Sequence, residues 1–293
     1  MAVTAAQVKE LRERTGAGMM ECKKALEATT GDMERAIEEL RKSGRAKADK
    51  KAGRVAAEGI VIVRTSTDGK QAVMLEINSE TDFVARDENF LAFVDAVAKT
   101  ALSTRTGDVQ ALASVPLIGG TTTVDEARHA LIAKVGENIH IRRVVLLDTS
   151  TTVGTYLHGT RIGVLVELDT ENPELAKDIA MHIAASKPVV IHPGEVPADV
   201  IAKEKEIYMA QAAGSGKPQD ILEKMVAGKL KKYLDEISLV GQPFIKDPDI
   251  LVASLLNKHR AKVISFTRFE VGEGIEKESE DFVEAVMAQV HGS

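Results

Sequence analysis

The fold is decided by one stretch of sequence, Val73-Met-Leu-Glu-Ile-Asn-Ser-Glu-Thr-Asp-Phe-Val-Ala-Arg-Asp87. Its first part, which ends at Ile77, is apolar and rich in residues that favour strands. Its second part begins with Thr81, a residue type that caps helices well, and a longer helical pattern begins at Glu88. The stretch therefore predicts a strand, a short helical turn that carries Phe83, and then a helix.

A shortened copy of this pattern, Val164-Leu-Val-Glu-Leu-Asp-Thr-Glu171, lies further along the chain. It leads into a helix predicted from Pro173 to Ala185, which begins about five or six residues sooner than the helix of the first copy. The part that the second copy lacks is roughly Asp82 to Asp87. Because only one copy of a duplicated scaffold carries this turn, we expect the turn to have a role beyond folding.

Composition and charge narrow the classes of function. With 293 residues, of which 44% are hydrophobic, the chain is long enough for two or more domains with real cores. A net charge of -6 argues against a protein whose main task is to bind nucleic acid. The one cysteine, Cys22, cannot form an internal disulfide, and no apolar run reaches the ~20 residues of a membrane helix. We therefore expect a cytoplasmic protein that makes no direct contact with membranes or nucleic acid.

The N-terminal region predicts a module of three short helices, Ala5 to Arg14, Met20 to Thr29 and Met33 to Ser43. This arrangement resembles the ubiquitin-associated fold. The apolar residues predicted to form its core are Val8, Leu11, Ala25, Leu26, Ile37 and Leu40. Met19 and Met20 follow a Gly-Ala-Gly loop, and they are interpreted either as packing residues or as part of an adaptable binding surface. The basic run from Gly44 to Arg54 is interpreted as a solvated linker helix, and contact with nucleic acid or an acidic partner is the alternative.

Two α+β halves follow, each with a hairpin, helices and a later strand. For the first half we predict strands Glu58 to Val63, Ala72 to Ile77 and Ile139 to Leu147, and helices Glu88 to Leu102 and Val124 to Val135. For the second half we predict a hairpin from Tyr156 to Leu168, the helix from Pro173, a helix from Ile250 to His259, and a strand from Lys262 to Val271. The predicted fold class is α+β, with small antiparallel sheets in a duplicated core.

The second half also contains an insertion, roughly Pro188 to Ile237, that predicts an antiparallel helical hairpin with helices Ala198 to Ala213 and Gln219 to Asp235. The second of these helices has a clear apolar stripe of Leu222, Val226, Leu230 and Tyr233. The first has only a patchy stripe of Val200, Ile207 and Gln211. Such an arm usually packs on itself, and a role in dimerisation or partner binding is the alternative.

These elements give the predicted domain organisation. It consists of a helical module with its basic linker (1–54), a first core half (55–148), a second core half (149–187 and 238–271), the helical hairpin (188–237) and a C-terminal helical module (272–293).

The search for catalytic groups finds no set that could form an active site. The run Gly214-Ser-Gly-Lys217 lacks the first Gly and the Ser or Thr of a phosphate-binding loop, and it lies between helices rather than after a strand. His158, His182 and His192 are scattered without metal-ligand spacing. Cys22 has no companion for nucleophilic catalysis and is interpreted as a packed thiol. No catalytic residue, metal site or cofactor is predicted.

A multi-module chain without catalytic groups is best explained as a protein that binds another protein. Two alternatives are an adaptor, in which the N-terminal module binds a ubiquitin-like protein or RNA, and a GTPase. The missing phosphate loop weighs against the GTPase.

The motifs resemble those of the bacterial translation elongation factor Ts family, whose members exchange guanine nucleotide on elongation factor Tu. The resemblance covers nearly the whole chain. The segments that carry it are Leu11 to Leu26, Glu80 to Arg86, His182 to Pro188, Ser238 to Phe244 and Arg268 to Glu276.

The resemblance implies a division of labour among these segments. Asp82 and Phe83, with the adjoining Thr81 and Val84, would intrude beside the magnesium and phosphates bound to elongation factor Tu, and Phe83 would act as an apolar wedge. Gly16, Met19 and Met20 of the N-terminal module would contact its nucleotide-binding domain. His158 would face the partner from the second half, and the helical hairpin would serve a homodimer. The alternative for Phe83 is burial in the core of its own chain, where Phe is usually found.

Overall fold

The computed structural model describes residues 3–213 and 218–276 of the chain. Residues 214–217, between the two predicted helices of the hairpin, and the part of the predicted C-terminal module beyond residue 276 lie outside the described residues. Residues within the described part divide into two compact units. The first unit comprises residues 3–62, 75–145 and 270–276, and the second comprises 63–74 and 146–269.

The three N-terminal helices are α1 (Ala5–Thr15), α2 (Met19–Ala28) and α3 (Met33–Lys51). Thr4 begins α1 with a reciprocal capping box to Gln7, and Asp32 caps α3 by accepting a hydrogen bond from the Arg35 N–H. The predicted small core is confirmed. Its buried side chains are Val8, Leu11, Cys22, Ala25, Leu26 and Ala36, with Ile37 and Leu40 packed against them.

The third helix is longer than predicted because it continues through the basic run to Lys51. Gly44 and Ala48, which lie within that run, are buried. A Cβ at Gly44 would lie 3.7 Å from the Cβ of Ala133, so this face of α3 packs against a helix of the first core half. The interpretation of the run as a solvated linker helix is therefore wrong on this buried side, since packing against Ala133 carries the helix past Gly44.

The remaining elements of the first half are mostly those predicted. The strands are β1 (Glu58–Thr65), β2 (Gln71–Ser79) and β3 (His140–Asp148), in the spatial order β1-β2-β3. The helices are α4 (Asp82–Ala85), α5 (Glu88–Thr104), α6 (Val109–Ala113) and α7 (Val124–Val135). The short helix α6 lies in a loop for which no helix was predicted.

The second unit contains β4 (Gly154–His158), β5 (Ile162–Leu168) and β8 (Val263–Glu270), in the order β4-β5-β8. β4 and β5 pair antiparallel, with Tyr156 opposite Val164. Helix α8 (Pro173–Ser186) packs against this hairpin through buried Leu175, Ile179 and Ile183, in a core that also holds Val164 and Val166. The predicted helix from Ile250 begins later, because residues up to Leu251 form β7 (Asp247–Leu251) beside β6 (Pro243–Phe244); helix α11 spans Val252–Lys258.

The inserted helices are α9 (Ala198–Ala213) and α10 (Gln219–Ile237), which confirms the predicted hairpin. The stripe on α10 is confirmed in part, since Leu222 and Val226 are buried. The stripe predicted on α9 is wrong. Val200 and Ile207 are exposed, and the residues of α9 that pack on α10 are Tyr208, Met209 and Ala212.

Candidate functional site

The turn that follows β2 is a separate, capped piece of helix. Thr81 has an extended backbone, and its side chain accepts a hydrogen bond from the Val84 N–H at 3.3 Å, so α4 begins at Asp82. The helix ends after four residues, and Asp87 then caps α5 by accepting hydrogen bonds from the Asn89 and Phe90 N–H groups. Two caps only six residues apart hold a single helical turn between the strand and the long helix.

Phe83 is the exposed member of this turn. Its side chain is 82% exposed, whereas Ala85 in the same turn and Phe90 in α5 are buried. Large aromatic side chains gain about 1.5 to 3 kcal/mol from full burial, so this one retains its capacity to bury apolar surface. The alternative that Phe83 belongs to the core of its own chain is wrong.

The neighbours of Phe83 are polar or partly covered. Asp82 pairs with Arg86 at 3.0 Å on the surface, an ion pair of the i,i+4 type that contributes little to stability. Val84 is half-buried. The turn therefore presents one apolar ring beside one carboxylate that remains partly open to solvent.

The base of the turn is held by the loop that follows α7. The Glu137 carboxylate accepts hydrogen bonds from the Thr81 N–H at 3.0 Å and from the Thr81 hydroxyl at 2.6 Å. In the opposite direction, the Asn138 N–H donates to the Glu80 carboxylate at 2.6 Å. The sequence analysis missed Glu137 and Asn138, because they lie more than fifty residues from the turn and belong to no motif considered.

The methionines of the N-terminal module lie on the surface. Met19 is 57% exposed and Met20 is 64% exposed, so neither is a core residue. Gly16, which ends α1 with a φ of 68°, supplies the left-handed backbone that turns the chain toward them. A Cβ at Gly16 would lie 3.8 Å from the Lys134 Nζ, which donates a hydrogen bond to the Asn89 side chain at 2.6 Å. The Lys134 ammonium therefore lies near Gly16 and donates a hydrogen bond to the first turn of α5.

His158 lies in the second unit, at the exposed end of β4. His182, by contrast, is buried: its Nε2 donates to the Gln242 side chain at 2.9 Å, and its Nδ1 accepts the Ile245 N–H at 3.2 Å. Burial lowers the pKa of His182 despite the bond to Gln242, which raises it. His182 is therefore a neutral structural residue.

An ionic cluster around the buried Glu76 connects strands β2 and β3 of the first sheet. Glu76 is fully buried; it accepts hydrogen bonds from Arg142 at 3.0 Å, from Arg143 at 2.5 Å and from the Gly272 N–H at 2.8 Å. Burial raises the pKa of Glu76, but the Gly272 N–H, both arginines and Asn78 together lower it below its ordinary value. The cluster ties β2, β3 and the segment after β8 together, and the sequence analysis did not identify it.

The described part of the chain also contains an open cleft whose lining does not include Phe83. This cleft, of about 450 Å³, lies between α3 and α7, and several of the charges that line it form ion pairs across it, such as Arg41 with Glu126 and Lys47 with Glu21. Within residues 3–213 and 218–276, three or more His, Cys, Asp or Glu side chains nowhere gather as metal ligands would. None of the helices formed by those residues is long and apolar enough to cross a membrane.

Comparison with known proteins shows the family of the chain. The sequence model described as Elongation factor TS matches residues 80–273, about two thirds of the chain, beginning at the glutamate that precedes the turn. The chain belongs to the elongation factor Ts family. Elongation factor Ts of Thioalkalivibrio sulfidiphilus is 60% identical to it over 295 residues, covering all of both chains. Elongation factor Ts of Legionella pneumophila strain Paris is 58% identical over 98% of both chains, and that of Coxiella burnetii strain Dugway is 53% identical over 99% of both.

Membership of the elongation factor Ts family confirms the resemblance seen in the sequence motifs. It implies a nucleotide-exchange role in translation elongation, which is a binding function and not covalent catalysis.

Proposed function

We propose that this chain is the guanine-nucleotide exchange factor for elongation factor Tu, and that it displaces magnesium and promotes the release of GDP from that partner. The observation that carries the proposal is the exposed Phe83 on a short turn, capped by Thr81, that the otherwise similar second half of the chain lacks. The role fits a cytoplasmic protein.

The mechanism we propose is a coupling between two binding events. If the chain binds nucleotide-free partner more tightly than GDP-bound partner, it must weaken GDP binding by the same factor. Weakening a nanomolar complex to the micromolar range requires about 4 kcal/mol of differential contact. The wedge would enter beside the magnesium and phosphates, with Asp82 orienting it or adding a hydrogen bond, while Thr81 and Val84 form the rest of the inserted turn.

Burial of one Phe side chain provides about 1.5 to 3 kcal/mol, which is less than the coupling requires. Further contacts must share the work. Met19 and Met20, exposed beyond Gly16, offer an adaptable apolar surface for the nucleotide-binding domain of the partner. His158, exposed at the end of β4, offers a polar contact from the second unit.

The helical hairpin is proposed as the site of a homodimer. Ile221 and Met225 remain exposed on α10 although the neighbouring Leu222 and Val226 pack within the hairpin. An apolar surface of this kind on a helical arm suits pairing with a second helical arm.

The test is the release of a fluorescent GDP from elongation factor Tu, with and without this chain. We expect strong acceleration, a stable complex with nucleotide-free partner, and no GDP binding by the isolated chain. GDP binding by the isolated chain, or a release rate unchanged by its addition, would overturn the proposal.

A further inference from the structure

We infer that Glu137 and Asn138, in the loop after α7, are positioning residues that hold the Phe83 turn in the conformation used for exchange. The inference rests on the proposed function and extends it to residues that do not themselves insert into the partner.

The turn is too short to be stable by itself. Helix α4 has four residues, and isolated helices shorter than roughly 12 to 15 residues are marginal in water. The Phe83 ring is exposed, so the largest side chain of the turn does not hold the turn in place by packing into the core. Besides the buried Ala85, the contacts that hold α4 lie at its base, at Glu80 and Thr81.

Glu137 fixes this base through a two-point contact. One carboxylate oxygen accepts the Thr81 N–H at 3.0 Å, and the other accepts the Thr81 hydroxyl proton at 2.6 Å. Because the hydroxyl proton points to Glu137, an oxygen lone pair is left for the Val84 N–H, 3.3 Å away. The same hydroxyl thus caps α4 and connects the turn to the loop after α7.

Asn138 completes the clamp from the other side. Its backbone N–H donates to Glu80 at 2.6 Å, and its buried side chain donates to the Arg54 carbonyl oxygen at 2.9 Å. Each of the two loops therefore contributes a carboxylate that accepts hydrogen bonds from the other loop. Glu80 accepts from Asn138, and Glu137 accepts from Thr81. Hydrogen bonds to charged groups are stronger than those between neutral groups, so these contacts give a firm base for the turn.

The functional consequence is preorganisation. An exposed side chain that must find its binding conformation during association loses conformational freedom, and this loss weakens the contact. A turn that is already held in place presents Phe83 without that cost. Loss of the clamp should therefore lower the maximal rate of exchange, even though neither Glu137 nor Asn138 acts as the wedge.

The second unit supplies a matched control. There the Glu171 carboxylate accepts hydrogen bonds from the Thr152 N–H at 3.0 Å and from the Thr152 hydroxyl, which is the same two-point contact. Glu171 is followed directly by Asn172, the cap of α8, with no intervening turn and no exposed Phe. Glu171→Gln therefore disturbs the same chemistry away from the wedge.

The experiment measures GDP release from elongation factor Tu over a range of concentrations of the full chain. Glu137→Gln replaces one acceptor oxygen by an NH₂ group that cannot accept the Thr81 proton. We expect the maximal release rate to fall about tenfold, a factor that corresponds to one hydrogen bond to a charged group. Glu171→Gln should retain the rate of the unmodified chain, and Glu137→Gln should cause no further loss when Phe83 is already replaced by Ala.

Equal rates for Glu137→Gln and the unmodified chain would overturn the clamp while leaving the proposed function intact. An equal loss with and without Phe83 would overturn it as well, because the effect would not pass through the wedge. Failure of the unmodified chain to accelerate release would overturn both proposals. Hydrogen exchange at the Val84 amide gives an independent readout: it should be about tenfold faster in Glu137→Gln, and unchanged protection would contradict the clamp.

Discussion

The two copies of the strand-to-helix pattern differ chiefly in what lies between the strand and the helix. In the first copy, α5 begins at Glu88, eight residues after Glu80; in the second, α8 begins at Pro173, two residues after the equivalent Glu171. The second copy passes directly to a helix capped by Asn172, whereas the first adds a capped turn that exposes Phe83. Both long helices keep a side-chain N-cap, Asp87 in the first copy and Asn172 in the second, so the extra turn is present without a change in how the following helix begins.

The copies differ also in the equivalent strand glutamates. Glu76 is fully buried between Arg142 and Arg143, whereas Glu167 is half-buried and accepts a hydrogen bond from the Ser265 hydroxyl at 3.2 Å. Glu76 thus accepts hydrogen bonds from two arginines and the Gly272 N–H, whereas the donor to Glu167 is an uncharged hydroxyl. We therefore expect the charge of Glu76 to matter more for stability than that of Glu167.

The largest expected effect on stability comes from this difference. Glu76→Ala should lower the free energy of unfolding by about 3 kcal/mol, since it removes the buried carboxylate that Arg142, Arg143 and the Gly272 N–H share. Glu167→Ala should cost about 1 kcal/mol, the value of one ordinary hydrogen bond. Urea unfolding of both variants checks the comparison, and equal losses would show that the two glutamates are equivalent.

A smaller effect is expected in the dependence of stability on pH. The pKa of Glu76 is lowered in the folded state from an ordinary 4.5, so its contribution to stability is present above pH 4.5 and is lost as the pH falls through the lowered value. Glu76→Gln should therefore flatten the loss of stability below pH 4.5, measured by urea unfolding at several acid pH values. A slope that matches that of the unmodified chain would exclude Glu76 as a source of acid sensitivity.

The smallest effect is expected at the caps, where the two copies should be alike. Asp87 accepts hydrogen bonds from the first turn of α5, and Asn172 accepts one from the Leu175 N–H of α8. Asp87→Ala and Asn172→Ala should each lower the free energy of unfolding by about 1 kcal/mol. A clearly larger loss of stability for one of the two variants, measured by thermal unfolding, would show that the two caps are not equivalent.

Much of this comparison could be predicted from the sequence. The duplicated pattern, the extra turn and its Phe83 follow from periodicity and capping residues, which are local signals. The helical conformation of the basic run could be predicted, but its continuity with α3 could not, because Gly44 is a poor helix former and its packing close to Ala133 is a tertiary contact.

The residues that contact the turn and Glu76 could not be predicted from the sequence either. Glu137 reaches Thr81 across 56 positions, and Arg142 reaches Glu76 across 66. Sequence periodicity predicts which face of a sheet a strand residue lies on, but it does not predict which side chains that residue contacts. It therefore cannot distinguish a charged strand residue that faces solvent from one that contacts two arginines. The hydrogen bonds that Glu80 and Thr81 make with Asn138 and Glu137 are likewise tertiary contacts that no local pattern encodes.

The central claim is that Phe83 drives exchange, and the most direct measurement is the maximal rate of GDP release from elongation factor Tu with saturating Phe83→Ala. The control is Ile118→Ala, which truncates another exposed apolar side chain of the same unit. Loss of about 1.5 to 3 kcal/mol of burial predicts a rate roughly 10- to 100-fold below that of the unmodified chain, with Ile118→Ala unaffected. A Phe83→Ala rate equal to that of the unmodified chain would contradict the account and assign exchange to the other contacts.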